Sequence, residues 1–327
     1  MKNKGFEPAR YIPFISFAVI FLIFLIASGG KNIMPFNLKA ILDQSIVVII
    51  GGLGTIFVVA LGSVDMTIGI TMALSGVVSS IIVDQTGLEW LIVPSALGIG
   101  AGMGLLTGII VSKFKVPSFM TTLAILIGMR GVINYIQTNS GLHFFPATFK
   151  WMNQFSAKII ILVILAALMI YVFEYTKTGK YCKAIGENEL AAQYVGVPVQ
   201  KIRIISYVFS GLTASIASLL TMANVGGTST TMGVFYELQV MIAIFLGGVL
   251  VTGGTTARIY KLLVGAFTIT IIENGLILCG YSSSEVSEAV KGVLLMVILF
   301  FTIYFNDDSR KKFRFQNQKA RQGGKNQ

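Results

Sequence analysis

The sequence is poor in the residues from which soluble enzymes assemble their chemistry. Of its 327 residues only 12% are charged, and there is one histidine, His143. Soluble domains carry about twice that charged fraction. One histidine leaves no His-based metal cluster or proton relay within the chain. The two cysteines, Cys182 in a basic loop and Cys279 in an apolar segment, form neither a disulfide framework nor a metal-ligand spacing. The phosphate-cradling pattern GxxxxGK[ST] is also missing, because Gly30-Lys31, Gly179-Lys180 and Gly324-Lys325 are not followed by Ser or Thr. The run "GIGAGMG" at 98–104 lies inside an apolar stretch and follows no strand, so it does not read as a dinucleotide loop. Gly100, Gly104 and Gly108 recur every four residues and predict close helix packing on one face. No nucleophile–base pair stands out. The chain therefore reads as a non-enzyme with no cofactor or metal of its own.

What is abundant is apolar sequence. Hydrophobic residues make up 54% of the chain, with 35 glycines and a mean hydropathy of +0.80. A membrane-spanning helix needs about 20 apolar residues. Ten candidate spans follow: 11–28, 41–61, 66–83, 90–112, 117–137, 157–175, 202–223, 234–251, 259–279 and 289–305. Those at 66–83 and 234–251 are short and carry polar residues, which suits half-spans or helices buried among others. The expected fold is an all-α integral membrane protein: one transmembrane domain over 1–305, then a basic, polar tail over 306–327 suited to anionic lipid. The basic N-terminus followed by an apolar run has the outline of a signal peptide, but Ile12 to Ala27 is long for one and reads as an uncleaved first span.

The net charge of +11 does not mark a nucleic-acid binder, because the basic residues are sorted by side. With the N-terminus inside, the inner segments collect Lys2, Lys4, Arg10, Lys113, Lys115, Lys177, Lys180, Lys183, Lys201, Arg203, Arg258, Lys261 and every basic residue of the tail. Only Lys31, Lys39, Arg130, Lys150, Lys158 and Lys291 fall elsewhere. That bias places both termini in the cytoplasm.

Ionisable groups at membrane depth are costly and tend to face the bundle interior or a wet cavity. Asp43, Asp65, Arg130, Glu237 and Glu273 lie in or beside apolar runs. Asp65 follows a break between spans and reads as interfacial or structural. Glu273-Asn274 sits centrally in its span, as an interior polar site or a helix–helix hydrogen bond. Arg130 either snorkels outward or faces a vestibule. Asp65, Arg130, Glu273 and Asn274 are the candidate translocation or gating residues. The acids are scattered and no histidine lies in a span, which weakens an ion-coupled carrier or channel as an alternative.

One short polar stretch, "GENELAAQYVGVP", interrupts the apolar pattern. Asn188 suits an N-cap, Glu187 and Glu189 suit a first turn, and Gly196 with Pro198 stops the helix. A helix of about two turns over 187–197 is marginal alone in water and must dock. Its polar face carries Glu187, Glu189 and Gln193 rather than basic residues, which favours a protein groove over anionic lipid.

This stretch resembles the cytoplasmic coupling segment of the ribose/xylose/arabinose-type ABC importer permeases, a family pattern that autoinducer-2 permeases share. The matching positions are Ala184-Ile185-Gly186-Glu187-Asn188-Glu189, Ala191-Ala192, Gly196-Val197, Tyr207 and Ser210-Gly211. "GSVDMTIGITMALSG", "VPSFMTTLAILIGMRGV", "GGVLVTGG", "LLVGAFTITIIENGLILCG" and "KGVLLMVILF" also resemble family segments, in matching order over about 45–303. Ser63 stands where the family has Pro, and Met66-Thr67-Ile68 where it has LSV. The resemblance implies a ten-helix permease of the bacterial cytoplasmic membrane, paired as homodimer or heterodimer. Beneath it would lie ABC ATPase subunits that hold the ATP and Mg, and above it an extracytoplasmic solute-binding protein. The coupling contact then falls on Gly186, Glu187, Asn188, Glu189, Ala191, Ala192, Tyr194 and Gly196, with Glu189, Ala192 and Tyr194 foremost. The solute would be a monosaccharide, pentose or ribose-like, or a sugar-like molecule.

Overall fold

The computed structural model describes residues 11–281 and 283–305; the basic tail lies outside the described residues. Twelve α-helices follow one another: α1 Ile12–Ala27, α2 Pro35–Ala60, α3 Ile68–Thr86, α4 Ile92–Lys113, α5 Ser118–Ser140, α6 Phe155–Ile170, α7 Lys177–Glu187, α8 Glu189–Tyr194, α9 Val199–Val225, α10 Tyr236–Leu246, α11 Ile259–Leu278 and α12 Ser284–Phe305. No strand occurs among the described residues, and the molecule is an all-α membrane protein. Every candidate span coincides with a helix. Among the described residues, however, only seven helices are long and apolar enough to cross a membrane. The 16 residues of α1 and the 11 of α10 fall short of that length.

Glycine sets one close helix–helix contact. A Cβ on Gly104 would lie 2.3 Å from the Tyr207 carbonyl oxygen, and one on Gly100 would lie 2.4 Å from that of Gly211. In return, a Cβ on Gly211 would lie 2.1 Å from the Gly100 carbonyl oxygen. The four-residue glycine spacing of α4 therefore brings its backbone onto that of α9. α9 also packs along α2, so α2, α4 and α9 form the centre, while α5 and α6 leave most of their surfaces uncovered.

The loops sort into two sets, as the charge pattern requires. At one end Ser118 receives the Val64 N–H, Glu187 receives Thr255, and Glu174 pairs with Lys183 and Arg258. At the other end Asp84 meets His143, Thr228 receives the His143 N–H, Gln137 donates to the Ser229 carbonyl, and Glu89 takes Thr148. Two lysines within candidate spans are buried. Lys158 on α6 pairs with Asp43 on α2 at 3.1 Å, and Lys291 on α12 pairs with Glu273 on α11 at 2.8 Å.

The stretch expected as an inner loop over 176–201 is largely helical. α6 runs through a π-helical turn, Tyr171–Tyr175, into α7. Two glycines and three lysines hid α7 in the sequence. Its buried stripe is Gly179, Cys182 and Ile185, and a Cβ on Gly186 would lie 2.1 Å from the Ala60 carbonyl. One boundary is corrected by this. Glu187 closes α7 and is not in the first turn of the next helix, because Asn188 is extended (φ −160°, ψ 105°) and separates the two.

Candidate functional site

Two irregular segments run inside the bundle. After α2 ends at Ala60, residues 61–67 turn back beside the middle of α9. Asp65, only 2% exposed, is fixed there. Its Oδ1 accepts the Thr67 N–H at 2.8 Å and the Thr67 hydroxyl at 2.6 Å. Its Oδ2 accepts the Ser210 hydroxyl at 2.7 Å. Asp65 is thus structural and buried, not interfacial: it satisfies the start of α3, which no water can reach. Thr67, the residue that departs from the resembled pattern, supplies two of the three donors.

The second segment joins α9 to α10. Non-helical backbone at membrane depth is tolerated only where protein or a wet cavity satisfies it. Arg130 on α5 does this, donating to the carbonyls of Met232 (3.0 Å) and Gly233 (3.1 Å). It neither snorkels nor stands free, since its charge is spent holding this segment down. Gly233, at φ +69°, then sits so close to Gly69 that a Cβ would lie 2.1 Å from the Gly69 carbonyl. α10 starts deep: its Tyr236 hydroxyl donates to the Val47 carbonyl of α2 at 2.7 Å. α10 is thus a short helix of 11 residues buried among others, one of the two outcomes its polar, shortened sequence suggested. Asp65 and Arg130 support the start of α3 and the segment before α10, which touch at Gly69 and Gly233.

Glu273 and Asn274 stand apart from that junction. Glu273 accepts from Lys291 (2.8 Å) and Gln239 (2.7 Å), tying α11 to α12 and α10. Asn274 is buried, and its Oδ1 has no hydrogen-bond partner.

Above the junction is a cavity of about 260 Å3 between α2, α6, α9 and the start of α10. Asp43, Lys158, Thr221, Asn224 and Gln239 line it, with Tyr236 at its base. Lys158 reaches both Asp43 and the Asn224 amide oxygen, the latter at 3.5 Å. Sequence reasoning marked Asp43 as unusual but assigned it no site, and missed Lys158, Asn224 and Gln239. A lysine one turn into an apolar run was the available signal; its partner lies 115 residues away.

At the opposite end the α7–α8 corner forms a knuckle. The Asn188 side chain accepts the Ala191 N–H at 3.0 Å, as a cap should. Gly196 adopts φ +82°, and Val197 N–H bonds back to the Ala192 carbonyl at 3.0 Å, closing α8 after six residues. Gly186, Glu187 and Glu189 lock the knuckle to the bundle: Glu187 Oε1 accepts from Thr255 N (2.9 Å) and Oγ1 (2.8 Å), and Arg203 pairs with Glu189 at 2.8 Å. Ala192 points inward at 4% exposure, while Tyr194 is 90% and Val195 80% exposed. Leu190 and Ala191 are exposed as well. A cleft of about 820 Å3, lined in part by Lys115, Ser118, Glu189, Gln193, Lys201 and Arg203, adjoins it.

Residues 37–299 match the family described as the branched-chain amino acid transport system / permease component. The chain belongs to that family. Among its relatives, the ribose import permease protein of Escherichia coli (strain K12) is 33% identical over 86% of this chain and 91% of its own length. The fructose import permease protein of Rhizobium meliloti is 29% identical over 88% of this chain and 83% of its own. The galactofuranose transporter permease protein of Escherichia coli (strain K12) is 30% identical over 79% and 77%. In this permease the ordered motifs therefore have a structural reading: "GSVDMTIG" builds the buried break at Asp65 and "GENELAAQYVG" builds the knuckle.

Proposed function

We propose that this permease is the membrane subunit of an ATP-driven ABC importer that carries a monosaccharide or sugar-like solute across the bacterial cytoplasmic membrane, with the α7–α8 end cytoplasmic. ABC ATPase subunits dock beneath it and hold the ATP and Mg; an extracytoplasmic solute-binding protein delivers solute to the other end. Two permease chains, identical or not, pair across the exposed sides of the bundle, and lipid covers the rest. The sugar class rests on the ribose, fructose and galactofuranose permeases it is similar to.

The observation that carries this reading is the knuckle. A six-residue helix has no stability of its own, yet α8 is held by its Asn188 cap, by the Glu189–Arg203 pair and by the neighbouring Glu187–Thr255 contact. An apolar tip of Leu190, Tyr194 and Val195 is left uncovered. That is the form of a lever: fixed to the bundle at its base and offering an apolar surface at its end. Within the coupling set, Gly186, Glu187, Asn188, Glu189, Ala192 and Gly196 shape and anchor the lever, while Ala191 and Tyr194, joined by Leu190 and Val195, bear the contact. Closure of the ATPase subunits moves the tip, and the anchors pass the motion to α9 and to the segment around Thr255.

The test replaces 187–197 by a Gly/Ser stretch. The ATPase subunit should no longer co-purify and ATP-dependent uptake should cease; unchanged uptake sinks the coupling role.

A further inference from the structure

The cavity at the end of the bundle opposite the knuckle has a chemistry that helix packing does not require. An Asp43–Lys158 clamp alone could join α2 to α6 with apolar side chains closed around it. Instead the pair borders a cavity of about 260 Å3, close to the lower end of ligand-sized pockets at roughly 300 Å3. Lys158 is 2% exposed, and carrying an ion pair into a bundle costs several kcal/mol per ion unless its remaining valences are met. They are not met among the described residues. Asp43 Oδ1 is buried without a partner, and the Lys158 ammonium, with three N–H donors, has two protein acceptors. Thr221, Asn224 and Gln239 add neutral groups that line the same space. The floor is the irregular segment at Gly233 and Val234, the junction that Arg130 holds in place.

We propose that this cavity is an outer solute subsite for a neutral polyhydroxyl molecule the size of one sugar ring. The assignment deepens the sugar-permease reading and rests on it. The paired carboxylate and ammonium sum to zero charge, so neither an anion nor a cation is favoured. A hydroxyl both donates and accepts, so vicinal hydroxyls match a wall that alternates carboxylate, ammonium and amide. The subsite spans from Asn224 at the end of α9 down to Tyr236 at the start of α10, so solute there rests on the junction between α3 and the segment before α10.

The test uses the full chain in proteoliposomes, with Cys279→Ser as background and either Thr221→Cys or Asn224→Cys. Two positions are used so that one poorly folded variant does not decide the result. A membrane-impermeant thiol reagent is added with ribose or fructose, and Phe144→Cys, exposed in the loop after α5, is the control. The cavity cysteine should be protected saturably, its rate falling about ten-fold when sugar reaches roughly ten times the half-protecting concentration, while the Phe144→Cys rate is unchanged. Equal rates with and without either sugar at both cavity positions, or equal slowing at the control, overturn the subsite. Uptake in parallel vesicles containing the ATPase separates the two readings: uptake without protection removes the subsite alone, and protection without ATP-driven uptake removes the importer reading alone.

Discussion

At the scale of single residues, Arg130, Glu273 and Lys291 are held by neighbours. Arg130 satisfies two carbonyls of the segment before α10. A buried carbonyl left unpaired costs about 1–3 kcal/mol, so Arg130→Met should lower the thermal midpoint of the purified chain and Arg130→Lys should lower it less, since lysine keeps donors but not the fork. Equal midpoints for both variants and the parent would show that the segment holds itself. Glu273 and Lys291 make a sharper case. Removing one partner of a buried pair costs about 3–5 kcal/mol, whereas replacing both can be near neutral. Lys291→Met should therefore destabilise strongly, and Glu273→Gln combined with Lys291→Met should recover most of the loss. A double variant no better than Lys291→Met contradicts the pairing. Part of this was legible from sequence: Glu273 read as an interior polar site or a helix–helix hydrogen bond, and it bonds across helices to Lys291 and Gln239. An acid in an apolar run announces that it needs a partner. Thr67 lies two residues from Asp65, but Lys291 lies 18 residues from Glu273 and Ser210 lies 145 from Asp65, and no local rule finds those.

At the scale of elements, local signals did well where local physics decides. The Asn188 cap and the Gly196 stop are backbone requirements satisfied within a few residues, and both occur. The glycine row of α4 names a close contact without naming its partner, and α9 supplies it. That contact is specific to one face: Gly98 and Gly102 have open space where a Cβ would sit, while Gly104 has the backbone of Tyr207 and Val208 within 3 Å. Gly104→Ala should reduce folded yield and thermal midpoint in detergent, and Gly102→Ala should leave both unchanged. Equal effects would mean that α4 does not pack on α9 by this row. α7 went unread because its helix formation depends on the bundle: a sequence with two glycines and three lysines is held by burying Gly179, Cys182 and Ile185, a tertiary contribution that propensity does not contain. The breaks at 61–67 and before α10 were half legible. The short, polar span 234–251 signalled a shortened helix, whereas α3 is long enough to cross and lies buried among its neighbours, and nothing local showed that α3 would meet the segment before α10.

For the whole molecule, the two ends have different tasks. One carries the polar cavity, the other the knuckle, and the chain between them is a close-packed centre of α2, α4 and α9 in which a displaced helix must move its neighbours. The exposed apolar tip of α8 leaves apolar surface in water with no folding advantage, which suits the docking surface proposed for it. Leu190→Glu with Tyr194→Glu should therefore leave the thermal midpoint unchanged while abolishing co-purification with the ATPase subunit; retained binding would move the contact to the adjoining cleft.

The most direct test of the account compares ribose uptake into proteoliposomes holding this chain alone with uptake into vesicles that also hold its ATPase subunit and ATP, with binding protein outside. The account predicts uptake only in the second, and only while ATP is hydrolysed. Concentrative uptake by the chain alone, driven by an ion gradient, would contradict it.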